Sequence, residues 1–576
     1  MAVLRHSVAE LWPARTRPPA GAAYLVEEGG AWAEKGWPEV TREVEELAAG
    51  FLSLGLEKGD RVALLGRTRV EWALCDWALI SIGAIVVPIY PTSSAVECAY
   101  ILGNCGSRVI VCEDREQADR IESARRELEA LEQVILFEEI EHLCGRGRAL
   151  LADDPDAVER RRRGVAEDDT LTIVYTSGTT GPPKGCALTQ RNYRAMVEMV
   201  QEVEGLVRPG DRVLLHLPLA HTFARLVSFL GPATGVTIAF CPDVAAIPQA
   251  LTAVRPTLFP TVPRLYEKLA ATVRANVEEA GGAKGRLARW ALATGARASE
   301  HRLAGRRLPP VLAVERALAD RLVLAKVRGR LGGELRFCIS GGAPLAAEVA
   351  EFFHALGIVI LEGYGLTECT TAATFNRPGS YRFGTVGQAL PGVEVRIASD
   401  GEVLIRGENV FQGYYRDEEA TRSVLTPDGW LATGDIGELD PDGFLTITDR
   451  KKDLIVTAGG KNVSPQSIEN ALKGSRYVSE ALVVGDRRPY LVALLAIDHD
   501  EVGKVARTEE DAHALIEHEV EKANADRGQV EQVRRFAILP RELSQEASEL
   551  TPTLKVRRHV CQEHFREEIE RLYARA

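Results

Sequence analysis

The stretch Tyr175–Gly185, YTSGTTGPPKG, decides how this chain is read. A short apolar, β-branched run, Leu171–Val174, leads into five hydroxyl side chains, three glycines and a lysine. Such a loop offers backbone N–H groups, hydroxyls and one mobile cation, the groups a polyphosphate requires, and glycine lets the backbone approach closely. The spacing is not the GxxxxGK[ST] P-loop, because Lys184 is followed by Gly185. Taken alone, a Thr/Ser/Gly loop reads equally well as a flexible turn. The rest of the chain breaks the tie.

Downstream come LPLAHTFAR (Leu217–Arg225), VPRLYEK (Val262–Lys268), SGGAPL (Ser340–Leu345) and EGYGLTE (Glu362–Glu368). Then follow GEVLIRGENVFQGYY (Gly401–Tyr415), GWLATGD (Gly429–Asp435), DRKKDLIVTAGGKNVSP (Asp449–Pro465) and TPTLKVRR (Thr551–Arg558). In this order the segments resemble the adenylate-forming acyl-CoA synthetase superfamily, and within it the long-chain fatty-acid branch. The resemblance covers nearly the whole chain. It implies that a carboxylate is joined to the α-phosphate of ATP, pyrophosphate leaves, and the acyl group passes to the thiol of coenzyme A. No GxSxG elbow or other nucleophile signature is present, which suits a reaction whose activated intermediate is the acyl-adenylate.

The resemblance also assigns residues. Thr176, Ser177, Gly178, Thr179, Thr180, Gly181 and Lys184 would cradle the β- and γ-phosphates. Thr176 and Glu368 would help place Mg²⁺, whose preference for hard oxygen donors suits a hydroxyl and a carboxylate. Thr367 would bond the α-phosphate; outside this motif, Glu368 would read as a helix-start carboxylate. Tyr364 would present a flat surface to adenine, between Gly363 and Gly365, with Gly341, Gly342 and Ala343 opposite and Glu362 opening the motif. Asp435 would accept from both ribose hydroxyls, supported by Arg450. Lys555 would bridge the substrate carboxylate and the α-phosphate, although Leu554 stands where many family members carry glycine. His221 would border the carboxylate, or else be a core histidine with its bonds satisfied. Lys452 would be a hinge, with Gly459 and Gly460 lining the coenzyme A channel after the hinge moves.

At 576 residues the chain is expected to form at least two domains, 1–449 and 450–576. The first reads as α/β, a large multi-lobed part of sheets flanked by helices; the second is a small mobile α+β unit. A net charge of −12 argues against non-specific nucleic-acid binding and leaves ATP and coenzyme A to local basic clusters. The ten cysteines show no CxxC pair and read as buried reduced thiols, consistent with a cytoplasmic chain. No secretory h-region opens the sequence, and the apolar run Ala78–Tyr90 is too short to span a bilayer.

RVALLG (Arg61–Gly66), SRVIVCE (Ser107–Glu113), DRVLLHLPL (Asp211–Leu219) and VTIAF (Val236–Phe240) read as strands, and Val40–Leu56 as a helix. Arg160–Arg163 reads as a solvated connector. Lys268–Ser340 is helical in pattern, and its length supports the long-chain branch. Lys284, Arg286, Arg289, Arg297, Arg302, Arg306 and Arg307 interleave there with apolar residues. They read first as the solvated face of a packed helix, with peripheral contact to anionic lipid as the alternative. A homodimer is a further expectation. The rival readings are a fatty-acyl-AMP ligase that serves a carrier protein, and a catalytically silent acyl- or ATP-binding protein.

Overall fold

The apolar runs pair as parallel strands, the arrangement that buries both faces of a sheet. A computed structural model describes residues 7–12, 21–176, 182–458, 461–525, 527–551 and 556–574. In it, Arg61–Leu65 lies between Ile85–Ile89 and Val109–Cys112, all parallel, with Gln133–Leu136 beyond. Thr170–Thr176 joins Ile85–Ile89 in parallel, and then Lys184–Thr189 and Gly413–Tyr414 add antiparallel strands to complete seven. Ala78–Tyr90 is split between the buried helix Val70–Ser81 and the strand Ile85–Ile89.

A second sheet of nine strands is centred on Thr237–Phe240, Arg212–Leu215, Leu258–Thr261, Phe337–Ser340 and Ile360–Tyr364, again parallel. Antiparallel pairs close both its edges. A third sheet, antiparallel and four-stranded, holds Leu431–Leu439 against Leu445–Arg450.

Two helices differ from expectation in an instructive way. Trp37–Leu52 begins three residues before Val40, because Pro38 fixes a helical φ in its first turn. Arg160–Arg163 is not a solvated connector: it ends the helix Ala157–Arg163, and Arg162 is buried against Glu45 and Glu159. The helix Thr222–Leu230 is pinned from below. Its Arg225 is fully buried, donates from Nε to Asp76 Oδ2 at 2.8 Å, and lies among the rings of Trp72, Tyr193 and Phe229. A buried guanidinium persists only when paired in this way.

Lys268–Ser340 is helical as expected, mainly Pro263–Glu279, Gly282–Leu303 and Pro310–Ala319. Gly282–Leu303 buries a face of small residues, Ala291, Thr294, Gly295, Ala298 and Ser299, and leaves Lys284, Arg286 and Arg289 in solvent. That is the packed helix with a solvated face. All ten cysteines are buried and none forms a disulfide.

Beyond Arg450 the chain builds a separate sheet from Val478–Val484, Leu491–Ile497 and Val533–Ile538. Val483, Ala493 and Leu495 face the helices Pro465–Lys473 and Glu509–Asn524, while Leu482, Leu494 and Ala496 face Arg558–His564 and Arg566–Ala574. Alternation with period two explains why LVALLAI is continuously apolar.

Candidate active site

The carboxyl ends of parallel strands are where open α/β sheets bind ligands. Here Thr261 is in register with Ser340, and Ser340 with Glu362. The turn Gly341–Ala343 and the strand end Gly363–Tyr364, with Gly365 just beyond it, therefore lie side by side. A Cβ at Gly341 would sit 3.6 Å from the Gly363 carbonyl oxygen and 3.8 Å from Phe223 Cε1. Gly363 and Gly365 have no room for a side chain: a Cβ would come within 2.6 Å of Phe375 Cδ2 and 2.3 Å of the Thr371 oxygen, respectively. The loop that follows is strained, with φ of 53° at Thr370 and 105° at Thr371. It is held by Thr370 Oγ1 donating to the Asn409 carbonyl at 2.6 Å and Asn409 Nδ2 donating to Ala372 at 2.9 Å.

Tyr364 and Asp435 meet across two sheets. The Tyr364 hydroxyl donates to Asp435 Oδ2 at 2.6 Å, and Arg450 Nε forms an ion pair with Oδ1 at 2.9 Å. Burial first, and then the Asp435 charge, hold the Tyr364 phenol well above its usual range, so it remains a donor. Asp435 is itself buried. An ionised carboxylate has about four acceptor sites, so two further donors, such as a vicinal diol, can still be accommodated.

The glycine-rich loop is the connection of a β-hairpin, with Thr176 opposite Lys184, and does not lead into a helix. Lys184 Nζ lies 5.1 Å above the ring of Tyr414, whose hydroxyl donates to Glu368 Oε1 at 2.8 Å. Lys184 and Glu368 are thus linked through one tyrosine that motif reading did not single out, although it stands in the quoted GEVLIRGENVFQGYY. Only the pairing of Tyr414 with Cys186 brings it there. Thr367 and Glu368 form part of a single 3-10 turn, Thr367–Cys369. The Glu368 carboxylate is engaged by Tyr414, in addition to standing at a helix start.

Glu362 points inward. Burial pushes its carboxyl up to about 8, opposed only by the backbone N–H of Leu345. His221 caps the helix Thr222–Leu230, its Nδ1 accepting from the Phe223 N–H at 3.1 Å. That helix places Phe223, which stands in the quoted LPLAHTFAR, beside the Gly341 turn. His216, directly after the strand Arg212–Leu215, bonds Thr261 Oγ1 through Nε2 at 2.7 Å, and burial lowers it to about 4.

Ser177, Gly178, Thr179, Thr180, Gly181, Gly459, Gly460 and Lys555 lie outside the described residues. The ends of the Lys555 segment are held by a bridge between Leu550 and Val556, and Arg557 reaches Glu97 of the large part at 3.4 Å. Lys452 is exposed in the turn after Arg450. Among the described residues no three His, Cys, Asp or Glu side chains gather as a metal cage. One carboxylate and one hydroxyl, Glu368 and Thr176, nevertheless fit Mg²⁺, which keeps waters and takes phosphate oxygens.

Two largely parallel sheets, a hairpin strand pair and a small C-terminal unit make up an α/β architecture. Residues 12–415 match the AMP-binding enzyme family and residues 452–576 match the AMP-binding enzyme C-terminal domain, so the chain belongs to this family. It is 39% identical over 573 residues to the long-chain-fatty-acid–CoA ligase FadD15 of Mycobacterium tuberculosis, covering 94% of this chain and 93% of that one. To the long-chain-fatty-acid–CoA ligase ACSBG1 of Rattus norvegicus it is 32% identical, with 92% and 80% covered. Among solved structures, the anthranilate CoA ligase AuaEII with anthranoyl-AMP superposes with a TM-score of 0.75 at 22% identity, covering 98% of each chain. A Mycobacterium tuberculosis fatty acyl CoA synthetase gives 0.63 at 25% identity, with 97% and 98% covered.

Proposed function

We infer that this protein is an ATP-dependent long-chain-fatty-acid–CoA ligase. The observation that carries the reading is the match, at 39% identity across nearly the full length, to a relative named for that activity. A carboxylate oxygen attacks the α-phosphorus of ATP, forming the acyl-phosphate bond and expelling pyrophosphate. The coenzyme A thiolate then attacks the acyl carbonyl and AMP leaves.

Each residue assignment follows from the chemistry at its position. Asp435 would accept from the ribose hydroxyls, with Tyr364 and Arg450 holding its carboxylate. Tyr364 would face adenine across the Gly341–Ala343 turn. Lys184 and the hairpin loop would hold the β- and γ-phosphates. Thr176 and Glu368 would hold Mg²⁺, which supplies charge neutralisation on the phosphates. Lys555 would bring a cation between the two reacting anions, where a water-poor site raises its value. Asp449 closes the large domain, and the C-terminal domain would turn about Lys452.

The test is product analysis with palmitate, ATP and coenzyme A: acyl-CoA, AMP and pyrophosphate should appear in equal amounts. Acyl-adenylate accumulating in the presence of coenzyme A would overturn the reading in favour of a carrier-dependent ligase. Apparent affinity should also rise roughly fourfold per added methylene, about 0.8 kcal/mol each, until the acyl site is filled. A flat response from hexanoate to palmitate would contradict the long-chain substrate.

A further inference from the structure

Two helices of the large domain are buried on every side. In Val70–Ser81 every residue but Glu71 is buried, and in Thr222–Leu230 every residue but Phe223. The hydrophobic effect is non-directional, so a helix covered all round gains the same burial at any rotation about its axis. Burial alone therefore does not select which side chain of Thr222–Leu230 faces the site. The half-buried Phe223 is the one that does: a Cβ at Gly341 would lie 3.8 Å from its Cε1.

One charged pair joins the two helices. Arg225 donates from Nε to Asp76 Oδ2 at 2.8 Å and from Nη2 to Oδ1, a two-pronged bond that fixes direction as well as separation. The two side chains are 1% and 2% exposed, and Arg225 Nη1 reaches no carboxylate or carbonyl among the described residues. Taking two ions out of water costs about as much as their attraction returns, and apolar residues of similar volume stabilise a core as well or better. Net stability is therefore not what this pair supplies; register is. A second link runs beside it: Thr68 Oγ1 donates to the Leu217 carbonyl at 2.7 Å, also buried. Both links join residues 149 positions apart, so the segments 68–76 and 217–225 run side by side in one direction.

We propose that Asp76 and Arg225 are positioning residues for adenylation: the pair sets the rotation of the helix Thr222–Leu230 and so holds Phe223 against the Gly341 turn. Two residues apart on an α-helix is about 200° of rotation, so Arg225 faces the core while Phe223 faces the site. Asp76 stands on the helix after the strand Arg61–Leu65 of the first sheet, and Arg225 on the helix after Arg212–Leu215 of the second. The pair thereby carries the register of one sheet to the other at the level of the site. The inference rests on the ligase reading and adds to it two residues that act from within the core, through Phe223.

The test separates register from stability. Asp76→Leu/Arg225→Met replaces the pair with apolar side chains of similar volume, and its urea midpoint should stay close to that of the wild type. The kcat of pyrophosphate exchange with palmitate should nevertheless fall by about ten- to a hundredfold, the scale on which a displacement of about 1 Å is felt. The KM for ATP should hold, since Asp435 and Arg450 stand on other elements. Adding Phe223→Ala to this variant should cost nothing further, because the ring has already lost its place. Arg225→Lys keeps the charge but not the fork, and serves in place of the apolar variant should that one not fold. It too should lose exchange by about tenfold or more per folded molecule. Wild-type kcat in either folded variant overturns the proposal, as does full additivity with Phe223→Ala. A loss that only matches the unfolded fraction overturns it as well, and makes the pair a stabilising element of the core. A wild-type protein without pyrophosphate exchange would overturn the ligase reading, and this inference with it.

Discussion

Tyr414 donates its hydroxyl to Glu368 Oε1 at 2.8 Å, while its ring lies 5.1 Å below Lys184 Nζ. One side chain thereby sets the separation between the glycine-rich hairpin and the Glu368 turn, which belong to different sheets. Burial first, then the nearby carboxylate, keeps the phenol protonated. Tyr414→Phe should preserve the fold and the ring under Lys184 but release the carboxylate. A hydrogen bond to a charged group contributes about 1.5–3 kcal/mol, so adenylation should fall by roughly ten- to a hundredfold. Pyrophosphate exchange reads this directly. Unchanged exchange would mean that Glu368 is held by something else.

Asp435 is buried between Tyr364, which donates to it, and Arg450, its ion-pair partner. Asp435→Ala should raise the KM for ATP by roughly ten- to a hundredfold, on the same hydrogen-bond scale. The more selective readout is discrimination between ATP and 2′-deoxy-ATP. It should be present in the wild type and largely lost in Asp435→Ala. Equal discrimination in both proteins would remove Asp435 from the ribose.

What could be read before the structure was known, and what could not, divides along sequence distance. RVALLG, SRVIVCE and VTIAF are apolar on both faces, and such runs become parallel strands whatever lies far away. The motif glycines were legible too, since Gly363 and Gly365 have no space for a Cβ. Tyr414 was not, because its partner Glu368 is reached only once Gly413–Tyr414 pairs with Lys184–Thr189. The burial of Arg162 is illegible for the same reason: Glu159 is local, but its other partner, Glu45, is 117 residues away. Phe223 and His216 carry no local pattern that separates a site neighbour from a core ring.

Glu362 gives the pH dependence a sign. Its carboxyl is raised to about 8 by burial, from an ordinary value of 4.5. Between those values the folded protein keeps a proton that the unfolded chain has released. This contribution to stability is complete below about 4.5 and is lost as pH rises towards 8, by at most about 1.4 kcal/mol per pH unit. Glu362→Gln cannot ionise and should flatten that slope. Urea unfolding midpoints of both proteins at about pH 5 and about pH 8 make the comparison. Parallel pH profiles would show that Glu362 is already ionised in the folded state.

Lys555 should act in the first half-reaction only. Lys555→Ala should slow adenylate formation by roughly a hundred- to a thousandfold, the scale on which loss of one charge-stabilising donor is felt. A pre-formed acyl-adenylate should still react with coenzyme A at close to the normal rate. Equal loss in both half-reactions would refute the division of roles.

The pivot between those half-reactions should be Lys452. On one side Lys451 is tied to the large part, its Nζ 2.7 Å from Asp400 and 2.8 Å from Glu402 and its N–H donating to Gly434. On the other side Asp453 faces Arg558 of the C-terminal part at 3.8 Å, and that arginine is bound to Glu469. Lys452 stands between the two attachments, exposed and in a turn. A hinge residue absorbs a large change in φ and ψ, and proline forbids most of it by holding φ near about −65°. Among the described residues no backbone bond outside helices and strands is donated by the Lys452 N–H. Proline there removes freedom more than contacts. Lys452→Pro should therefore leave one half-reaction, pyrophosphate exchange, largely intact, while thioester formation slows strongly. Stopped-flow measurement of acyl-CoA release from pre-formed adenylate separates the two steps. Turnover to acyl-CoA at the wild-type rate would place the rotation elsewhere.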